Sequence, residues 1–220
     1  NHFVAVVGVS GSGKSSLVRA GLIPALQRGH IRESGVRWRI VLARPGRAPF
    51  TSLTTALEKC GLDPAPVTKS SHGLIEVARQ LGPDESLLVI TDQFEEIFRY
   101  RDAQPVTQLA SKLRAQQAAA AAEFVQVLLA ASRHHPPIYV VVTMRSDYLG
   151  DCAEFRDLPE TLNESTYLIP RLTRQERKEE IEGPLGRVDI SPSLVHRMLN
   201  DVGDDPEQLP ILQHALMRTW

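Results

Sequence analysis

Near the amino terminus of the 220-residue chain, the stretch VVGVSGSGKSSLVRAGL (Val6 to Leu22) fits G-x-x-x-x-G-K-[ST] without a mismatch, through Gly8, Gly13, Lys14 and Ser15. No other feature restricts the fold as tightly, because such a loop works only between a buried strand and the helix it opens. Both flanks are present. His2-Phe3-Val4-Ala5-Val6-Val7 is a short apolar, β-branched run that reads as a buried strand. Leu17, Val18, Leu22 and Ile23 recur at helical spacing beyond the loop. The glycines admit φ > 0 and let backbone N–H groups turn inward as an anion nest, and the helix start adds its positive dipole end. Gly8, Ser10, Gly11, Ser12, Gly13, Lys14, Ser15 and Ser16 are therefore expected to cradle nucleotide phosphates. Lys14 would reach the β- and γ-phosphates, and the Ser15 hydroxyl would complete a Mg²⁺ shell. A dinucleotide G-x-G-x-x-G fingerprint fails, because Ser16 stands where its third glycine belongs.

Strand and helix patterns alternate along the middle of the chain, which predicts an α/β fold on a mainly parallel sheet. Five strands are expected: the one before the loop, Val36–Leu42, Ser86–Thr91, Ile138–Thr143 and Tyr167–Ile169. Leu53 and Leu57 mark one short helix, and Leu74, Val77 and Leu81 a second. A long helix is expected from about Val106 to Ser132, with Val106, Leu109, Leu113, Phe124 and Leu128 on one face, closed by Pro136-Pro137. After Pro170 only helical patterns remain, at about Arg174–Glu182, Pro192–Asp201 and Pro206–Arg218. The expected fold is a P-loop NTPase core over residues 1–170, then a small all-helical subdomain over residues 171–220.

Charge and cysteine content bound the partners. A formal net charge of −1 gives no whole-chain footprint for nucleic acid. The arginines at 28, 32, 37, 39, 44 and 47 read as a solvated rim. No apolar run approaches membrane-spanning length, and there is no signal peptide. Cys60 and Cys152 stand alone in unlike contexts, which points to reduced thiols and the cytoplasm. The chain starts on a core strand and ends at Trp220 inside an apolar helical pattern, as expected of a piece of a larger protein.

Two further motifs carry chemistry. LLVITDQFEEIF puts Asp92 at the carboxyl end of a buried strand, where open α/β sheets bind ligands. Asp92 is expected to hold Mg²⁺ through water, opposite Lys14 and Ser15. Glu95 and Glu96 follow within one turn, and one of them is the expected base for an attacking water. The strand Val36–Leu42 and two helices separate the loop from Asp92, as in the P-loop branch that inserts a strand between these two. VVVTMRSDYLG then sets Thr143 and Arg145 at the end of the next strand, beside Asp92. Arg145 is placed to meet a γ-phosphate, for which a planar guanidinium is suited. Asp147-Tyr148-Leu149-Gly150 imitates a GTPase D-x-x-G, but no N-K-x-D guanine reader follows, and the ABC-type L-S-G-G-Q is absent. The histidines show no zinc-ligand spacing.

VVGVSGSGKSSLVRAGLIPAL, VITDQFEEIFR, VVVTMRSDYLG, YLIPRLTRQERKEEIEGPLG and LPILQHALMRTW follow one another as do the successive blocks of STAND-type ATPases. The chain resembles most the bacterial novel STAND group of NACHT/AP-ATPase-like signalling NTPases. The resemblance implies an ATP/ADP-operated switch with slow hydrolysis, monomeric with ADP and oligomeric with ATP, joined to sensor modules such as WD repeats. It also implies that Arg145 is the sensor arginine and that Pro210 packs against adenine, although Gln208 stands where the family has glycine. Two other classes fit a P-loop: a motor or transfer enzyme of helicase or kinase type, and a nucleotide-dead scaffold.

Overall fold

The computed structural model describes residues 2–29, 37–101, 108–134, 138–183 and 191–202. Its centre is a five-stranded sheet in the order β2-β3-β4-β1-β5, in which every pairing is parallel. The strands are β1 (Phe3–Gly8), β2 (Arg37–Ala43), β3 (Glu85–Thr91), β4 (Tyr139–Arg145) and β5 (Thr166–Leu168). Each lies within a residue or two of the expected position. The order sets β4 beside β3, as expected for the strand of Arg145, but it is β4 that stands between β1 and β3, while β2, the strand read between the loop and Asp92, lies at the sheet edge. Gly8 pairs with Arg145, and Thr91 pairs with Val142, so the loop, Asp92 and Arg145 emerge from one edge of the sheet.

Side-chain alternation assigns the two faces. Phe3, Ala5 and Val7 of β1, Leu87 and Val89 of β3, and Val140, Val142 and Met144 of β4 point into the larger apolar cluster. That face is covered by α2 (Pro49–Lys59), α3 (Gly73–Ala78), α4 (Gln108–Ser132) and α5 (Leu158–Ser165). The other face carries Val6, Leu88, Ile90 and Val141 and is covered by α1, the helix that follows the loop. Burying each such Val, Leu or Phe contributes about 1.5–3 kcal/mol, which is why near-continuous apolar runs can sit at the centre of a parallel sheet.

Helix α1 is not uniform. An α-helical turn, Lys14–Ser16, passes into a π-helical stretch, Leu17–Leu22, and returns to α-helix at Ile23–Gln27. Proline opens α2 at Pro49 and α7 (Pro192–Val202) at Pro192, where a missing N–H costs nothing. Helix α6 (Arg174–Glu182) starts on a capping box, with Thr173 and Glu176 each satisfying the other's backbone N–H. α6 and α7 bury Ile181, Val195 and Leu199 together.

The expected single apolar face of the long helix needs correction. Phe124 and Leu128 are fully buried, but Leu109 is 78% exposed and Leu113 54% exposed. A helix of 25 residues runs roughly 38 Å, longer than the strands beneath it, so only its second half lies on the sheet. Periodicity marks which positions share a face and is silent on how far the neighbouring layer extends. The segment after Asp92 is 3₁₀-helical over Phe94–Arg101. Among the described residues, no helix is long and apolar enough to cross a membrane.

Candidate functional site

The loop geometry follows from its glycines. Gly11 and Gly13 have φ of 74° and 80°, in the left-handed region that side chains disfavour. At Gly8 a Cβ would lie 2.6 Å from the Ser12 hydroxyl oxygen, so a side chain there would push the Ser12 hydroxyl out of its place in the turn. The Ser12 N–H donates to the Val9 carbonyl at 3.2 Å, and the Leu17 N–H to the Gly13 carbonyl at 2.8 Å, starting the helix. Lys14 is buried, and its ammonium donates to the carbonyls of Gly8 (3.0 Å) and Val9 (2.6 Å). Burial lowers its pKa from the ordinary lysine value, opposed first by the charge of Glu95.

Asp92 is the hub on the opposite side. Its Oδ1 accepts from the Ser15 hydroxyl at 2.6 Å and from the Thr143 hydroxyl at 2.7 Å. Its Oδ2 accepts from Nε of Arg19 at 3.1 Å and from Nη2 at 2.8 Å. Burial pushes this carboxyl up, but the bonds from Ser15, Thr143 and Arg19 outweigh it and hold the pKa below the ordinary aspartate value. The next residue, Gln93, is left-handed at φ 57°, and its N–H donates to Thr143 Oγ1 at 2.9 Å. That uncommon conformation turns the chain away from the sheet and ties β3 to β4 at the site.

The two glutamates have separate surroundings. Glu95 Oε2 accepts the Arg145 N–H at 3.3 Å, and burial raises its pKa above the ordinary glutamate value. Glu96 is buried and committed elsewhere. It pairs with Arg44, pairs with Arg99 at 2.8 Å, and accepts the Gly46 N–H at 3.2 Å. The Arg145 guanidinium forms a two-pronged bond to Asp147, Nε to Oδ1 at 3.1 Å and Nη2 to Oδ2 at 2.7 Å, and lies over the Tyr148 ring. Asp147 accordingly raises the Arg145 pKa.

The structure thus brings Lys14, Ser15, Asp92, Glu95 and Arg145 to one edge, with Ser10, Gly11, Ser12 and Gly13 in the loop between β1 and α1, Gly8 at the end of β1 and Ser16 in the first turn of α1. Pro210 lies outside the described residues. Sequence reasoning missed Arg19, Arg44, Gln93 and Asp147. Of these, Arg19 had a signal, since it follows Ser15 by four residues and so shares its helix face. The donor set suits a hard cation, because a hydroxyl and a carboxylate are the oxygen ligands that Mg²⁺ takes. The loop suits a phosphate, since its tight turn leaves backbone N–H groups rather than side chains to line it. An open cavity of about 810 Å³, floored by Phe50, Val67, Val127 and Phe155, shares no residue with this site.

The whole chain, residues 1–220, matches the family described as Novel STAND NTPase 1. Among solved structures, the fold is similar to the Aeropyrum pernix ORC1 protein in complex with DNA. The TM-score is 0.62 at 14% identity, over 97% of this chain and 53% of that one. AMPPCP-bound DnaA from Aquifex aeolicus gives 0.54 at 13% identity, over 97% and 54%. A chain of the E. coli MS115-1 HORMA:CdnC:Trip13 complex gives 0.53 at 16% identity, over 92% and 59%. At such identities the likeness shows a fold of the P-loop AAA+ ATPase type and nothing finer. This chain spans between half and three-fifths of those proteins' lengths. No curated protein matches it.

Proposed function

The chain belongs to the Novel STAND NTPase 1 family, a family of nucleotide-binding NTPases, and from that premise we propose that it is an ATP/ADP-operated regulatory switch that hydrolyses ATP slowly. The loop from Gly8 to Ser16 holds the phosphates, and Lys14 answers their charge. Ser15 and Asp92 hold Mg²⁺, which when bound supplies charge neutralisation at the phosphate oxygens. Glu95 is the base: its burial raises its basicity, and the Arg145 N–H fixes one of its oxygens. Glu96, with both oxygens engaged by Arg44, Arg99 and Gly46, holds the strand ends together instead.

The observation that carries the switch is the partner of Arg145. Its guanidinium is taken by Asp147 beside the site, so a γ-phosphate competes with a carboxylate for the same fork. A group with two anionic partners distinguishes ATP from ADP by which one it holds. On this reading α6 and α7 belong to a helical subdomain that responds to this choice, and the family resemblance assigns the adenine contact to Pro210, which lies outside the described residues. Sensor and effector modules outside these 220 residues, and self-assembly with ATP, complete the switch in the cytoplasm.

Calorimetric titration of ATP and ADP into the parent and Arg145→Ala tests the reading. The variant is expected to bind ADP as the parent does and to lose preference for ATP, by up to about tenfold, the value of one charge-assisted contact. An unchanged ATP/ADP ratio removes Arg145 from the sensor role. Failure of the parent to bind either nucleotide returns the chain to the scaffold class.

A further inference from the structure

The Asp92 carboxylate has about four lone-pair positions to offer, and four hydrogen bonds fill them. Two of the donors are neutral hydroxyls. Ser15 gives its proton to Oδ1 and keeps its own lone pairs for a cation. Thr143 is held on both sides, donating to Asp92 and accepting from the Gln93 N–H. Neither hydroxyl opposes a metal ion at this place. Arg19 does, since it brings a full positive charge and covers Oδ2 with both prongs of its fork.

Two features make Arg19 a movable element. Its side chain is 52% exposed while that of Asp92 is 5% exposed, so the guanidinium can leave towards solvent without unpacking the core. It is also carried by the π-helical stretch Leu17–Leu22, and π-turns are rare and gather at functional positions. Mg²⁺ keeps several of its waters and meets proteins through one or two carboxylates, so it needs a free acceptor on Asp92.

Building on the assignment of Ser15 and Asp92 to Mg²⁺ made above, we infer that Arg19 is a built-in counter-cation that competes with the hydrated metal for Oδ2 of Asp92. Occupation by metal then requires the fork to withdraw, which couples the metal site to the π-helical turn of α1. Arg19 is a positioning residue in this scheme and touches neither nucleotide nor the attacking water.

The test is ADP binding, followed by calorimetry across a Mg²⁺ series from chelator to millimolar, for the parent, Arg19→Gln, Arg19→Lys and Asp92→Asn. Removing the competitor should let Arg19→Gln reach its half-maximal Mg²⁺ effect at about tenfold lower Mg²⁺ than the parent, the lower end for a charged bond at a half-exposed site. Arg19→Lys keeps the charge without the fork and should fall between. ADP affinity in chelator should be the same for the parent and both Arg19 variants. A midpoint for Arg19→Gln equal to or above the parent's overturns the inference, since Arg19 would then merely orient Asp92. Should Arg19→Gln not fold, Arg19→Lys decides alone: a lower midpoint supports competition, an unmoved one refutes it. Asp92→Asn separates the layers. If it leaves the Mg²⁺ dependence as in the parent, the metal assignment fails and the inference with it. If it removes that dependence while Arg19→Gln behaves as the parent, only the competition fails.

Discussion

Glu95 and Glu96 are neighbours with opposite employment, and their surroundings separate them where their spacing did not. Glu95 is buried and accepts the Arg145 main-chain N–H, whereas Glu96 meets two arginines and a main-chain N–H. Glu95→Gln is expected to keep nucleotide binding and lose turnover by about 10²–10⁴-fold, the usual contribution of a positioned base. Glu96→Gln is expected to keep turnover and lose about 1–2 kcal/mol of stability, because Arg44 and Arg99 are half-exposed and recover hydration. Phosphate release and urea unfolding on the two variants check both halves. The pH dependence follows from the raised pKa of Glu95. A folded-state pKa above the unfolded value means that folding favours the protonated acid. That contribution is complete below the ordinary glutamate pKa, about 4.3, and is lost as pH rises through the folded value. Stability of the parent should fall through this window and that of Glu95→Gln should not. Asp92, with its lowered pKa, has the reverse dependence: its contribution is present above the ordinary aspartate pKa and is lost as pH falls through the folded one.

At the scale of elements, α4 offers the sharpest contrast between pattern and position. Leu113 and Leu128 read as members of one apolar face, yet one is 54% exposed and the other 1%. Leu128→Ala should cost about 2–5 kcal/mol through lost burial and a residual cavity, and Leu113→Ala should stay within about 0.5 kcal/mol. Equal losses in denaturant midpoints would mean that the first half of α4 is packed after all. The same contrast explains what the sequence could tell. β1, the loop and α1 were readable because strand, glycine turn and helix are fixed by local chemistry. That β4 lies beside β3 was readable from the usual strand order, but that β4 and not β2 stands between β1 and β3 was not. The π-helical Leu17–Leu22 was not readable, since Leu17, Val18, Leu22 and Ile23 satisfy either winding. The positions of Asp92 and Arg145 at strand ends, and of Lys14 and Ser15 at the helix start after the glycine loop, were readable from local pattern. The bonds of Asp92 to Arg19, of Glu96 to Arg44 and of Arg145 to Asp147 were hidden, because a charge pattern lists possible partners and only packing selects among them.

For the whole molecule the question is how much free energy one γ-phosphate can deliver. Moving a two-state protein from 1:99 to 99:1 takes about 5.5 kcal/mol of differential binding. Charge-assisted contacts contribute roughly 1.5–3 kcal/mol each, and the phosphate has two candidate readers in this chain, Lys14 and Arg145. Arg145 must first surrender Asp147, so its net gain is the difference between two similar bonds. Lys14 already donates to two carbonyls and likewise exchanges partners rather than gaining one. The sum therefore falls short of a complete switch. Among the described residues, the helices that would oppose or amplify it, α6 and α7, bury Ile181, Val195 and Leu199 among themselves. The 220-residue chain should consequently discriminate ATP from ADP by no more than about tenfold, the worth of one charge-assisted contact, and should show little ATP-driven self-association. Sedimentation velocity with ADP and with a non-hydrolysable ATP analogue measures this directly. A predominantly oligomeric chain with the analogue alone would show that these residues hold a larger γ-phosphate response than Lys14 and Arg145 can supply. The missing free energy would then have to come from contacts between copies of the chain.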